Sequence, residues 1–193
     1  MANLEPSFTL RLARMEDAPA LRALIAHSVR VLQAANYSPA KIEGSLEGTQ
    51  GLDTRLIADG TYYVVEAAPR EGESPLLVGC GGWSKRRTPF GSDSQPDRQD
   101  EPLDPAVDAA KIRAFFVHPE WARRGIATRI LEACEQAGHA SGFRRFEMTA
   151  TLTGLPLYKA RGYREMERAL IPLPNGVSYP VVKLSKTLPV ASG

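Results

Sequence analysis

The stretch of sequence that decides the fold is AFFVHPEWARRGIATRILEACE, from Ala114 to Glu135. It begins with apolar residues typical of a buried strand. Pro119 ends that strand, because proline cannot continue regular strand or helix geometry. Beyond the loop, apolar side chains recur at spacings of three and four between Ile126 and Cys134, which predicts an amphipathic helix. The chain is therefore expected to turn from a buried strand into a helix.

The residues at the start of this helix are suited to binding an anion. The first amides of a helix lack partners within the helix, and the macrodipole makes that end electropositive. Gly125 and Ala127 would let the backbone approach a ligand closely, and Arg123 and Arg124 add positive charge. A phosphate or pyrophosphate is the expected ligand. The alternative is an ordinary helix start at which the two arginines form only a solvated surface.

The order of motifs around this helix is more specific than the helix start alone. VHP at 117–119 ends the strand, WARRGIA at 121–127 opens the helix, and LYKARGY at 157–163 follows a second predicted strand. This order resembles the GNAT superfamily of acyl-CoA-dependent N-acetyltransferases, whose pyrophosphate loop reads Gln/Arg-x-x-Gly-x-Gly/Ala. That loop falls on 122–127 and departs from the pattern at Ala122. The resemblance implies an α/β (α+β) fold with a mixed, mainly antiparallel sheet, splayed at the central strands and flanked by helices.

The resemblance implies acetyl-CoA as cosubstrate and assigns two groups of residues to it. The pantetheine arm would pair with the backbone at the end of the first strand, where the Val117 amide would also polarise the thioester carbonyl. These strand residues are Phe115, Phe116 and Val117, and they could equally be plain core. The pyrophosphate would bind Arg123, Arg124, Gly125, Ile126, Ala127 and Thr128.

Two residues are candidates for the catalytic proton transfers. By its place in the motif, Tyr158 matches the family tyrosine near the CoA sulfur, where it would protonate the departing thiolate; its alternative is a tyrosine that covers the core. The attacking amine must lose a proton, and Glu147 on the second predicted strand is a candidate base. Alternation places Glu147 opposite its apolar neighbours, so it could instead be a solvent-facing partner for an arginine. Glu66 and His118 are further candidates.

The function that the resemblance implies is transfer of an acetyl group to a primary amine by direct attack in a ternary complex. The acceptor, a small molecule or a peptide, would lie between the first helices and the central strands. Tyr37 and Trp83 are candidate acceptor contacts, although aromatic residues at such positions commonly belong to the core. A non-catalytic CoA-binding sensor is the alternative function.

Composition limits the number of domains and the kinds of partner that the protein is expected to have. The 193 residues are expected to form one domain, 1–193, with a core of its own. A net charge of +2 gives no argument for nucleic acid as a partner, and acidic residues follow the basic cluster at 85–87. Cys80 and Cys134 lie in apolar contexts and are expected to be reduced core thiols. We expect no metal site, no membrane span and a cytoplasmic location, while the choice between monomer and homodimer stays open.

A long polar segment at about 84–108 interrupts the pattern of strands and helices. It contains four prolines and little periodicity, and it is long for a connection between two strands. Part of it is expected to border the acceptor site, and its tip at 92–101 is expected to be mobile.

Overall fold

A computed structural model of the protein describes residues 7–68, 74–95 and 98–189. These residues form a seven-stranded sheet with helices on both faces. The strands are β1 (Ser7–Leu12), β2 (Tyr62–Ala68), β3 (Leu76–Ser84), β4 (Ala110–Val117), β5 (Arg145–Thr151), β6 (Arg164–Pro172) and β7 (Ser178–Thr187). The helices are α1 (Ala18–Leu32), α2 (Pro39–Glu47), α3 (Thr54–Ala58), α4 (Ile126–Ala140) and α5 (Leu155–Ala160). The mixed α/β class predicted from the sequence is confirmed.

The sheet is antiparallel except at its centre. Its strand order is β1-β2-β3-β4-β5-β7-β6, and β4 and β5 are the parallel pair. This pair is joined only at Ala110–Phe146 and Lys111–Glu147, so the two strands diverge beyond Lys111. The predicted splay is therefore present. It begins beyond Lys111, well before β4 ends at Val117.

A bulge in β4 accompanies the divergence. The register between β3 and β4 shifts between Cys80 and Gly82, and Ala114 takes a left-handed φ of 56° that is uncommon for a residue with a side chain. An extra residue in one strand bends that strand and increases its local twist. The bend separates the end of β4 from β5 and leaves one edge of β4 unpaired.

The two faces of the sheet are covered by different helices. α4 buries Ile126, Ile130, Leu131 and Cys134 on one face, as the spacing of three and four predicts. Its first turn lies very close to β3, since a Cβ added at Gly79 would be 2.4 Å from the Ile126 side chain. The opposite face is covered by α1 and α2, whose apolar residues pack on a second part of the core.

The segment at 84–108 differs from the mobile loop predicted for its tip. Thr88 donates its amide to the carbonyl of Gln99, and Arg86 bridges to Pro102, so the two halves of the segment pair with each other. The buried Ser92 hydroxyl donates to the Gly48 carbonyl at 2.8 Å. Positions 96 and 97 lie outside the described residues. The rest of the tip is attached to the domain by contacts that are distant in sequence, which local composition could not reveal.

Candidate active site

A cleft opens where β4 and β5 diverge. One wall is the unpaired edge of β4, another is formed by the end of β5 and the start of α5, and the third comes from α1, the turn after α2 and the 84–108 segment. Its lining residues are Gln33, Thr49, Gln50, Gly51, Pro89, Phe90, Gly91, Ile112, Arg113, Ala114, Phe115, Phe116, Met148, Thr149, Ala150, Thr151, Gly154 and Tyr158. The cleft therefore has one side next to the β4 edge and a second side covered by α1 and the 84–108 segment.

Tyr158 lies in this cleft. Its ring meets Phe115 and Tyr163 edge to face, with 6.1 Å between ring centroids in each pair. Only 7% of the residue is exposed, yet its hydroxyl hydrogen-bonds to none of the described residues. Burial raises the pKa of Tyr158 well above its ordinary value, so the hydroxyl keeps its proton at neutral pH. A protonated donor without a partner thus faces the cleft.

Phe115 and Phe116 also line the cleft, whereas Val117 contacts α1. The amide of His118 donates to Val78 on β3, and the preceding amide, that of Val117, points the other way. It donates to the hydroxyl of the buried Ser28 at 3.3 Å, a long hydrogen bond. The amide that sequence reasoning assigned to the thioester carbonyl is therefore held weakly by a side chain of α1.

The loop before α4 forms a concave set of free amides. Arg123 and Gly125 both have left-handed backbone conformations, with φ of 66° and 77°, and Gly125 is the N-cap of α4. Among the described residues, the amides of 123–128 donate to no other group. A Cβ added at Gly125 would have no atom within 4 Å, so the space in front of the loop is open. Successive backbone amides in such a turn form an anion-binding concavity.

The side chains of this loop contribute unequally. The Arg124 guanidinium lies 4.8 Å from the centre of the Trp121 ring, a cation–π contact that leaves its charge at the surface. The Thr128 hydroxyl accepts a hydrogen bond from Arg161 on the far side of the loop. Ile126 is buried in the core, so only its backbone amide can face a ligand. Backbone amides and arginine charge are therefore the groups that this loop offers to a phosphate.

Glu147 lies outside the cleft. It sits at the paired end of β4 and β5, where its carboxylate contacts Lys111 Nζ at 2.6 Å, and 48% of its side chain is exposed. The structure thus gives Glu147 the solvent-facing alternative, with lysine as the partner instead of arginine. Glu66 accepts hydrogen bonds from Arg11, and His118 accepts one from the Glu120 amide to cap a turn. Among the described residues, those that line the cleft include neither a carboxylate nor a histidine.

Tyr37 and Trp83 lie in the core, the alternative that the sequence left open for both. Tyr37 stacks on Tyr179 with 4.4 Å between ring centroids, and its hydroxyl donates to the carbonyl of Pro180. Trp83 packs edge to face on Phe143 beneath α4, on the opposite face of the sheet from α1. Large aromatic rings are most readily accommodated in the interior, and both rings are buried here.

Sequence reasoning missed the residues on the α1 side of the cleft. Gln33 and Gln50 hydrogen-bond to each other, and both bond to the Tyr179 hydroxyl within the core. Arg113 projects from β4, and its Nη2 atom lies 2.8 Å from Asp53 Oδ2. The signal for Arg113 was present in the sequence, because an arginine inside the apolar run KIRAFFV is unusual for a buried strand.

Two further properties concern the described residues only. No group of three or more His, Cys, Asp or Glu side chains in 7–68, 74–95 and 98–189 is arranged to hold a metal ion. Within the same ranges, no helix has both the length and the apolarity that crossing a bilayer requires.

Residues 105–171 match the family described as acetyltransferase (GNAT) domain. This range contains the loop before β4, β4, α4, β5, α5 and nearly all of β6, and so includes one side of the cleft and the amide loop. No curated protein sequence is similar enough to this chain to count as a relative.

Solved structures share the fold at low sequence identity. A protein of Rhodopseudomonas palustris described as a GCN5-related N-acetyltransferase is 20% identical, with a TM-score of 0.66 over 97% of this chain and 100% of that chain. The PaiA N-acetyltransferase of Thermoplasma acidophilum, solved with coenzyme A, is 13% identical, with a TM-score of 0.58 over 94% and 99%. YncA of Salmonella typhimurium, solved with its cofactor acetyl-CoA, is 14% identical, with a TM-score of 0.61 over 97% of each chain. The chain has the fold of these N-acetyltransferases, and its residues 105–171 match the GNAT acetyltransferase domain.

Proposed function

We propose that the protein transfers the acetyl group of acetyl-CoA to a primary amine by direct attack within a ternary complex. The observation that carries this proposal is the free, protonated hydroxyl of Tyr158 in a cleft bordered by the unpaired edge of β4. The relatives solved with coenzyme A and acetyl-CoA have the same fold and support the choice of cosubstrate.

The cosubstrate would bind along β4 and the loop that follows it. The pyrophosphate would accept hydrogen bonds from the open amides of 123–128, assisted by the charges of Arg123 and Arg124. The pantetheine amides would pair with the free backbone edge of β4 at Phe115, much as a strand adds to a sheet, whereas Phe116 is paired with Cys80 on β3 and would contribute its side chain. The Val117 amide would donate to the thioester oxygen in place of the Ser28 hydroxyl, because its hydrogen bond to that hydroxyl is long.

The reaction would balance as follows. The amine nitrogen attacks the thioester carbonyl carbon, a C–N bond forms, the C–S bond breaks, and the electron pair of that bond leaves with sulfur. The nitrogen loses one proton and the thiolate gains one. A thiol has an ordinary pKa of about 8.5 and a phenol about 10. Since burial raises the pKa of Tyr158 further, its hydroxyl would stabilise the thiolate by a hydrogen bond and keep its own proton, and the proton that the amine loses would reach the sulfur through water.

The amine would need no carboxylate base from the cleft. No Asp, Glu or His in the described part of the chain lines it, and the charged Arg113 there favours the neutral form of a nearby amine. The proton would leave through water in the open cleft. Cys80 and Cys134 are buried free thiols, which supports a reducing compartment such as the cytoplasm and gives no support to a covalent cysteine intermediate.

An amine panel tests the proposal directly. The protein is mixed with acetyl-CoA and each amine, free thiol is measured over time, and the acetylated amine is identified by mass. Thiol release that requires both an amine and the protein is the expected result. Tight CoA binding without release on any amine would contradict catalysis and favour the non-catalytic sensor.

A further inference from the structure

Among the described residues that line the cleft, Arg113 is the one with a charged side chain. A second recess lies directly beside it, and the two share Gln50 and Gly51. The charged residues of this second recess are Arg22 and Arg30, and again no acidic residue lines it. Such arginines bind a carboxylate at short range, and each of the three also contacts Asp53, Asp93 or Glu43 outside the lining.

The Arg113 guanidinium is buried, but not all of its N–H donors are hydrogen-bonded. Its side chain is 3% exposed and shares the completely buried Asp53 with Arg98, which also lies 3.9 Å from Asp93. Nη2 donates to the Gly91 carbonyl at 3.0 Å and makes ion-pair contact with Asp53 without hydrogen-bond alignment. Nε is buried without a hydrogen-bond partner, and the Nη1 atom donates to none of the described residues. Buried donors of a charged group are seldom left unpaired, because their desolvation is costly.

The charges around the second recess are balanced only outside it. Arg22 contacts Asp93 at 3.2 Å, and Arg30 contacts Glu43 at 2.8 Å, but both carboxylates lie beyond the residues that form the recess. More than half of each arginine side chain is exposed, so solvent screens these pairs and both arginines remain able to attract a passing anion.

We propose, resting on the acetyltransferase function above, that the acceptor is an α-amino acid or a closely similar amine whose carboxylate binds at Arg113. Arg113 precedes Phe115, where the pantetheine would pair, by two strand residues, about 7 Å along β4, so the carboxylate site and the cosubstrate edge belong to one strand. Arg22 and Arg30 would guide the anion through the second recess towards the cleft. The Gln33 and Gln50 amides border its path.

Matched pairs of amines test the proposal. The value of kcat/KM is measured by thiol release for an α-amino acid and for the amide of the same amino acid, at low and high ionic strength. A charge-assisted hydrogen bond is expected to favour the acid by about tenfold or more. The preference should weaken as salt screens the arginines. A dipeptide with the same first residue, whose carboxylate is displaced, should behave like the amide.

Variants then separate binding from folding. Arg113→Gln should raise KM for the acid and leave KM for the amide nearly unchanged, whereas a purely structural role would impair both substrates equally. If this variant does not fold, the double variant Arg22→Gln/Arg30→Gln removes two exposed charges and should lower kcat/KM for the acid alone. Arg168→Gln, exposed on β6, is the charge-matched control and should change neither substrate.

The outcomes distinguish the two levels of the proposal. Thiol release with an equal or greater rate for the amide would overturn the amino-acid assignment and leave the acetyltransferase function intact. If no amine of the panel gives thiol release, the acetyltransferase function is overturned, and the amino-acid assignment with it. A salt-sensitive preference for the acid that Arg113→Gln or the double variant abolishes would support both.

Discussion

Burial of the Tyr158 ring determines how the rate should depend on pH. The folded protein raises the pKa of this hydroxyl above its ordinary value of about 10, because the cleft disfavours the phenolate. The active, protonated form is therefore fully present below pH 10 and would be lost only at still higher pH. We expect kcat/KM to rise with the deprotonated fraction of the amine and to show no alkaline decline between pH 7 and about 9.5. A decline in a thiol-release profile, corrected for uncatalysed thioester hydrolysis, would contradict this account.

At the scale of elements, the loop and the start of α4 form one unit for anion binding. Gly125→Val forces a β-branched residue into a left-handed conformation, although no atom lies within 4 Å of the added Cβ. The change should therefore disturb the amides more than the core, and CoA affinity should fall by at least about tenfold, or 1.4 kcal/mol. Arg124→Ala should weaken CoA binding less, because the backbone amides also bind the pyrophosphate. Calorimetry showing full CoA affinity in Gly125→Val would rule out this binding site.

The 84–108 segment and α3 are joined by a second unit, the ion cluster at Asp53. Asp53 accepts from Arg98 at 2.7 Å, contacts Arg113, and accepts the Arg55 amide at the start of α3. Asp53→Asn keeps the shape and the cap but removes the nearest counter-charge of two largely buried guanidinium groups, of which Arg98 keeps only a 3.9 Å contact with Asp93. The free energy of unfolding should fall by about 3–5 kcal/mol in a denaturant titration.

Glu43→Gln is the matched control, because it removes a carboxylate from the exposed pair with Arg30 and should barely shift the denaturation midpoint. An Asp53→Asn midpoint as high as that of the control would mean that the loop is held by its other contacts.

For the whole molecule, local patterns predicted the elements well and the long-range contacts poorly. The run from Ala114 to Glu135 predicted a strand, a turn and an amphipathic helix, and the structure has β4, the amide loop and α4 there. Periodicity could not show that Glu147 lies at the paired end of the splayed strands. Composition could not show that Asp53 and Arg113 hold the loop, because these partners are 60 positions apart in the chain.

The acceptor side was difficult to predict for the same reason. Its walls come from α1, the turn after α2 and the 84–108 segment, which meet only after folding. Tyr37 and Trp83 carried the aromatic signal but occupy the core, while Gln50 and Gly91 carried no local signal. The cofactor side could be predicted because one continuous strand–loop–helix stretch supplies most of it.

The central claim is that the cleft at the β4–β5 divergence catalyses acetyl transfer with the help of the Tyr158 hydroxyl. Tyr158→Phe removes that hydroxyl and keeps nearly all of the ring packing. With the best amine of the panel, turnover should fall by roughly 10²–10⁴, while acetyl-CoA affinity and the thermal midpoint stay close to wild type. Glu147→Gln, outside the cleft, is the control and should retain full turnover. Wild-type turnover in Tyr158→Phe would contradict the account.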